Sequence, residues 1–202
     1  MCTRFYIERS SDDYKEHPAL INRFYGIYSK GVITSGEVRP TDVVPVIAPD
    51  KKGARSTFPM KWGFTLPKSN QPLVNARVET ASTKPTFKDS WERRRCIIPA
   101  AWYYEWEHFK SADGRIKTGD KYVIQPASSD ITCLCGLYRI EGDIPVFTVL
   151  TTTPTKELSR IHDRMPLILP KEYIDDWIDP GSKADDLLQY ALTDMIIEKA
   201  GD

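Results

Sequence analysis

The sequence predicts an α+β fold around an antiparallel or mixed β-sheet that can curl into a barrel, with helices at its periphery. Three observations lead there. Segments with strand chemistry fill the middle of the chain, and helical patterns sit at its two ends. No alternation of β and α units of the kind that builds a parallel sheet runs between them. A chain of 202 residues, 41% of them hydrophobic and with 5 Trp, 10 Tyr and 7 Phe, is equipped to bury a sizeable core.

Taken in order, residues 13–28 read as one or two short helices interrupted near Pro18. Residues 43–47 read as a short strand. Residues 57–64, 73–80, 95–107, 122–125, 131–139 and 146–152 follow as strands. Each is rich in aromatic or β-branched residues, and most are bounded by Gly, Pro or Asp. Residues 167–169 suit a further short strand. Helical patterns recur at 155–161, 171–176 and 184–200, the last with an uneven apolar stripe of Leu187, Leu188, Ala191, Ile196 and Ile197. No repeat, low-complexity tract or linker divides the chain, so one domain over residues 1–202 is expected.

Composition narrows the function classes. The formal net charge is zero, so nucleic-acid binding would have to come from a local basic patch. Four cysteines, Cys2, Cys96, Cys133 and Cys135, are too sparse for a disulfide framework and suit a reducing compartment. Cys133 and Cys135 form a C-x-C pair with no second ligand pair, so no metal is expected. No G-x-G-x-x-G or G-x-x-x-x-G-K-[ST] loop is present. The first fifteen residues are polar and charged, and no apolar run approaches the roughly 20 residues that span a bilayer. A cytoplasmic protein is expected, nucleoid-associated if bacterial, with no membrane contact.

Cys2 stands directly behind Met1. Removal of Met1 would give one residue an α-amine and a thiol on adjacent carbons. Such an aminothiol condenses with an aldehyde to a Schiff base, which the thiol closes into a five-membered thiazolidine. The α-amine titrates at about 7.7–8.0, so a useful fraction is neutral near pH 7. Position alone leaves open that Cys2 is an ordinary second residue.

Three polar segments interrupt apolar surroundings. In Asn75-Ala76-Arg77-Val78-Glu79-Thr80, a strand would put Asn75, Arg77 and Glu79 on one face. That face is either simply solvated or lines a groove, with Asn75 on a sugar or oxyanion, Arg77 on a phosphate and Glu79 bracing Arg77. In Trp102-Tyr103-Tyr104-Glu105-Trp106, a carboxylate sits among four large aromatics. Desolvation there would raise its pKa and make it a proton carrier. Pairing with a buried arginine, or exposure of the face shared by Tyr103, Glu105 and Glu107, are the structural alternatives. The adjacent Arg93-Arg94-Arg95 is either a solvated run or part of a phosphate patch. In Ile161-His162-Asp163-Arg164-Met165-Pro166, a helical pattern gives way to an apolar run. His162 lies close to apolar residues on both sides and suits proton transfer at neutral pH, unless the segment is only a local hydrogen-bond network. His17 and His108 read as surface positions.

Together these segments resemble the SRAP family, named for SOS response-associated peptidases. The matching stretches are Met1-Cys2 with Arg4-Phe5; Trp62-Gly63-Phe64; Asn75 to Thr80; Arg95-Cys96-Ile97-Ile98-Pro99-Ala100 leading into Tyr104-Glu105-Trp106; Gly136-Leu137-Tyr138; Thr151-Thr152; and His162-Asp163-Arg164-Met165-Pro166. Each is weak alone; their joint occurrence in family order is specific. The chain departs from the family at Thr3, where Gly is frequent, and at Gly36-Glu37-Val38-Arg39-Pro40-Thr41, where only the proline and its surroundings are similar. It also departs at Pro67-Lys68-Ser69-Asn70, where some members place aromatics.

The resemblance implies a single SRAP-like α+β domain with a curled, barrel-like, mainly antiparallel β-sheet core and peripheral helices, autocatalytic removal of Met1, and covalent capture of abasic sites in single-stranded DNA through a thiazolidine, protecting the lesion in the DNA damage response. It maps catalytic roles onto Cys2, Asn75, Glu105 and His162, and DNA contact onto Arg4, Arg77, Arg164 and Pro40. It calls for no cofactor, takes abasic single-stranded DNA as the partner, and suits a monomer. Two other readings of the same residues remain: a thiol peptidase using Cys2 and His162, and a non-covalent nucleic-acid-binding module.

Overall fold

The computed structural model describes residues 2–8, 31–111 and 113–201. Met1, the helices expected over 13–28 and His17 lie outside the described residues. The chain begins with β1 (Arg4–Ile7), β2 (Gly36–Val38), β3 (Val43–Pro49), β4 (Arg55–Trp62), β5 (Phe64–Leu66), β6 (Ser69–Leu73) and β7 (Asn75–Arg77). Two short helices, α1 (Val78–Ala81) and α2 (Lys88–Arg93), lead into β8 (Arg95–Ala100) and β9 (Trp102–Lys110). Next come β10 (Ile116–Pro126), β11 (Thr132–Glu141) and β12 (Ile144–Thr152). A 3-10 turn at Leu158–Arg160 precedes β13 (Met165–Pro166), and another at Lys171–Tyr173 runs into α3 (Ile174–Ile178). The chain ends with α4 (Ala184–Leu187), a 3-10 turn at Leu188–Tyr190 and β14 (Met195–Lys199).

The expected barrel is there. β11 pairs with β8, β8 with β3, β3 with β4, β4 with β12, and β12 again with β11, so the pairings close into a ring. All are antiparallel except the contacts of β12 with β4 and β7. Closure explains why the strands read as continuous apolar runs: β8 is buried at every position because both of its faces are covered. One face looks into the barrel, where Cys96, Ile98, Leu134, Val149 and Phe147 meet Phe5 and Trp62. Trp62 packs against Phe5 and Phe147 at ring-centroid distances of 4.9 and 6.0 Å. Its indole N–H donates to the Val74 carbonyl at 3.0 Å. The other face of the wall carries Ile97, Cys135, Leu137 and Leu150, which Trp91 of α2, Trp177 of α3 and Leu187 of α4 cover.

A second, five-stranded antiparallel sheet, ordered β14-β10-β9-β1-β2, lies on the first through the continuity of β8 and β9. The strand expected over 95–107 is therefore two strands. They turn a corner at Ala101, whose N–H donates to Tyr6 and whose carbonyl accepts from the Thr132 hydroxyl. β1 and β2 fall in segments assigned to no element from the sequence; β1 is a four-residue R-F-Y-I alternation that buries Phe5 and Ile7.

Four further expectations need correction. The strand expected over 73–80 stops at Arg77, and Val78–Ala81 is helical, burying Val78 and Ala81. The helix expected over 184–200 lasts one turn and a 3-10 extension before β14 takes over. In β14, partly buried Met195 and Ile197 alternate with exposed Ile196 and Glu198 along the edge of β10, a period of two that the uneven stripe concealed. The helix expected over 155–161 is only the turn at Leu158–Arg160. The strand expected over 167–169 sits slightly earlier, at Met165–Pro166, with a single bridge from Ile168 to Leu134. All four cysteines are free and buried. No helix of the described residues is long and apolar enough to cross a membrane.

Candidate functional site

Cys2 is carried into the barrel by β1, next to the central strand β9. It is fully buried in the cluster that holds Phe5, Trp62 and Tyr103. Its thiol donates to the Arg4 carbonyl at 3.6 Å. Burial first, and then the charge of Glu105, push the thiol pKa far up, against a relief from that backbone hydrogen bond. The sulfur is thus a protonated thiol at neutral pH.

Asn75 opens β7, which runs parallel to β12 with Asn75 opposite Val149. Its Nδ2 donates to the Cys2 carbonyl at 2.8 Å within the buried interior. A residue 73 positions along the chain thereby fixes the backbone of the second residue. The Asn75 Oδ1 is buried and has no hydrogen-bond partner among the described residues.

Glu105 is 4% exposed on β9, its Oε1 accepting from the Trp106 N–H at 3.3 Å. The face it shares with Tyr103 therefore looks inward, not to solvent. Glu105, Trp106, Thr3, His108, Thr118 and His162 line an open cleft of ≈ 390 Å³. Cys2 lies beneath this cleft rather than on its wall.

His162 follows the turn at Leu158–Arg160, where its N–H bonds to Leu158. Its Nδ1 lies 3.1 Å from the Arg164 N–H and 2.7 Å from Asp163 Oδ1. One nitrogen cannot serve both at once. A bare Nδ1 accepts from Arg164; a protonated one donates to Asp163. Burial pulls the His162 pKa below its ordinary 6.5, with Glu105 and Asp163 pulling the other way, so the neutral, accepting form is favoured. His108, read from the sequence as a surface position, is exposed, yet its ring meets His162 edge-on at 5.1 Å.

The arginines divide into two groups. Arg77 ends β7 and is exposed. Close by, Arg164 grips Glu79 with Nη1 and Nη2, each at 2.8 Å, and donates to the Thr151 carbonyl at 2.6 Å. Glu79 thus braces Arg164, not Arg77: the turn into α1 takes it off the strand face it was expected to share. Arg4 pairs with Tyr104 on β9, so it lies on the face opposite Glu105. There Arg4, Arg39 and Lys121 converge on the single carboxylate of Glu37 at 2.8, 3.1 and 3.2 Å. Lys121 also sits over the rings of Tyr104 and Trp106, 3.8 and 5.4 Å from their centroids. Pro40 lies beside this cluster, in a turn whose next residue, Thr41, has a φ of 76°. Lys121, Arg39 and Glu37 were not singled out from the sequence; the pairing of β1, β2, β9 and β10 that assembles them leaves no local pattern.

The triplet Arg93-Arg94-Arg95 separates. Arg93 and Arg94 pair with Asp89. Arg95 is 2% exposed. Its guanidinium donates to the carbonyls of Trp91, Trp177 and Ser182 at 2.7, 2.7 and 2.9 Å, and also to that of Asp179. It ties α2 and α3 to the barrel and is not a phosphate contact.

The sequence profile of the SRAP family, described as SOS response associated peptidase, matches residues 1–199. The chain belongs to the SRAP family. It is 34% identical over 205 residues to the abasic site processing protein YoqW of Bacillus subtilis, covering 95% of this chain and 86% of that protein. To YoaM of the same organism, also called an abasic site processing protein, it is 32% identical over 207 residues, covering 95% and 85%. Escherichia coli YedK, of the same description, is 30% identical over 128 residues, 59% of this chain and 54% of YedK. Among solved structures, a protein from Bacteroides thetaiotaomicron superposes with a TM-score of 0.73 at 20% identity, covering 100% of this chain and 93% of that one. That likeness shows the SRAP fold.

Proposed function

We propose that this protein captures abasic sites in single-stranded DNA as a covalent thiazolidine on Cys2, once Met1 has been removed. The observation that carries the reading is the juxtaposition of Cys2 with Asn75 and Glu105 under a cleft that His162 also lines. The relatives named for abasic site processing support the substrate class.

In the ring-opened abasic sugar, C1′ is an aldehyde. The neutral Cys2 amine adds to C1′, water leaves, and an imine forms. The Sγ then adds to C1′; the C=N π electron pair takes up the thiol proton as a new N–H bond, directly or relayed by Glu105. One water is lost overall, and nothing is oxidised or reduced. Glu105 takes a proton from the attacking amine, and His162, neutral at rest, picks up a proton and delivers it to the C1′ hydroxyl that leaves as water. Asn75 holds the Cys2 backbone so that ring closure is intramolecular and gains from high effective molarity. A thiol that is protonated at rest suits this sequence, because it adds only after the imine exists. A peptidase would need the thiolate at the outset.

For binding, Arg77 and Arg164 lie beside the cleft. Arg4, Arg39 and Lys121 form a cationic cluster around Glu37, with Lys121 over the rings of Tyr104 and Trp106. Clustered cations are a means by which single strands are positioned without sequence reading. Intact mass spectrometry with and without abasic single-stranded DNA tests the proposal. The expected species is protein lacking Met1 plus oligonucleotide less one water, absent in Cys2→Ala. An undiminished adduct in a variant that retains Met1 would refute the mechanism.

A further inference from the structure

One polar group at the base of the site has no role in this scheme. Tyr103 stands two residues before Glu105 on β9, so both project from the same inward face. It is 1% exposed and shares the interior cluster with Cys2. Its partners across the pairings are Phe5 on β1 and Ile124 on β10, both apolar and fully buried. Its hydroxyl has no hydrogen-bond partner among the described residues, although a buried tyrosine normally finds one.

The titratable groups this hydroxyl faces are Cys2 and Glu105. Burial pushes its pKa well above the ordinary value, and the charges of Cys2 and Glu105 push it the same way. Its proton is therefore held more tightly than that of an ordinary tyrosine. Asn75 and Glu105 also bear on Cys2, and neither offers its sulfur a hydrogen bond: the Asn75 amide is committed to the Cys2 carbonyl, and Glu105 is an acceptor when ionised. An orphaned donor and a buried sulfur that must pass through an anionic stage thus share one pocket.

We propose that Tyr103 is a positioning residue for ring closure, its hydroxyl donating to Cys2 Sγ as the sulfur gives up its proton and bonds to C1′. The Tyr103 proton stays on its oxygen throughout. The S–C1′ bond forms, the C=N π bond becomes N–H, and the hydrogen bond stabilises the developing sulfur charge and aims the lone pair. The inference rests on the reading of Cys2 as the reactive residue.

Tyr103→Phe tests it, because the ring stays packed between Phe5 and Ile124 and only the orphaned hydroxyl goes. In single turnovers on abasic single-stranded DNA, the imine is trapped by borohydride and the closed thiazolidine is not, so the two steps are timed separately. The variant should melt at or above the wild-type temperature and form the imine at the wild-type rate. It should close the ring about tenfold more slowly at neutral pH, with its closure profile displaced upward by about one pH unit. Closure rates and profiles that superpose on wild type would overturn the proposal. So would imine formation that slows in step with a lowered melting temperature, since that marks a packing role. If Cys2→Ala still gives full adduct, the reading of Cys2 fails; if Cys2→Ala abolishes it and Tyr103→Phe matches wild type, only the role of Tyr103 does.

Discussion

Arg164 commits its guanidinium to a neighbouring carboxylate, and that sets what it can offer a phosphate. Both of its terminal nitrogens hold Glu79. The hydrogen bond from Arg164 keeps the Glu79 carboxyl below its ordinary 4.5 despite some burial, so the pair is fully charged at neutral pH. Arg77 adds to the field at the same carboxylate. A DNA phosphate entering here meets two cations already partly neutralised. Glu79→Gln should therefore tighten binding of undamaged single-stranded DNA and steepen the slope of log K against log salt by about one, while Arg77→Ala should flatten it by a similar amount. Fluorescence anisotropy over a salt series reads both without involving the chemistry; an unchanged slope in Glu79→Gln would take Arg164 off the phosphate path. The sequence foreshadowed only part of this. Asn75, Glu105 and His162 stand out as polar residues interrupting apolar segments, the family resemblance adds their catalytic roles, and the structure brings all three around Cys2 or its cleft. The partner of Glu79 lies 85 positions away. It was misassigned because a two-residue period was carried through Val78, where the backbone turns helical.

At the level of elements, the barrel depends on β11 approaching both of its neighbours closely. Gly136 faces the interior between Cys96 of β8 and Val149 of β12. A Cβ there would lie 2.6 Å from Ile98 Cδ1, 2.9 Å from the Thr148 carbonyl oxygen and 3.1 Å from Cys96 Sγ. The isoleucine methyl can shift; the carbonyl belongs to the β12 ladder and cannot move without opening it. Gly136→Ala should cost about 1–3 kcal/mol as an overpacked core position, which for a chain of this size lowers Tm by about 2–4 °C per kcal/mol. A denaturant midpoint equal to wild type would show that the strands can separate freely. The wall strands were legible because burial on both faces makes them continuous apolar runs. The corner at Ala101 was not, since small residues allow a bend without demanding one. β14 was hidden for a different reason: Ile196 and Ile197 are adjacent, so one register reads as a helix stripe and the other as an edge strand. The β10 edge that selects the strand is 69 to 77 residues away in sequence, from the Pro126–Met195 pair to the Tyr122–Lys199 pair.

Across the whole molecule, burying a reactive site and a thiol-rich core ties stability to pH on both sides. Stability rises with pH wherever the unfolded chain binds more protons than the folded one. On the acid side, burial holds His162 below its ordinary 6.5. As pH falls through 6.5 the unfolded chain takes up a proton that the folded chain refuses, and stability declines. The decline deepens below about 4.5, where Glu37, Glu79 and Glu141 have folded pKa values under their ordinary ones. Burial opposes ionisation of Glu37 and Glu141, but hydrogen bonds from Lys121 to the first, and from Thr65 and Arg139 to the second, outweigh it. On the alkaline side the sign reverses. Burial raises the thiols of Cys2, Cys96 and Cys135 above their ordinary 9.0 and the hydroxyls of Tyr103 and Tyr138 above 10.0. Above about pH 9 the unfolded chain therefore releases protons that the folded chain keeps, and stability falls again. Denaturant midpoints measured from acid to alkaline pH should peak between roughly pH 7 and 8.5. His162→Gln should remove the first stage of the acid decline and leave the alkaline limb intact, because the two limbs belong to different groups. A wild-type midpoint that stays level from neutral pH down to the carboxylate range would mean that His162 is protonated as readily folded as unfolded. Burial of the imidazole in the cleft wall would then not be what sets its resting charge.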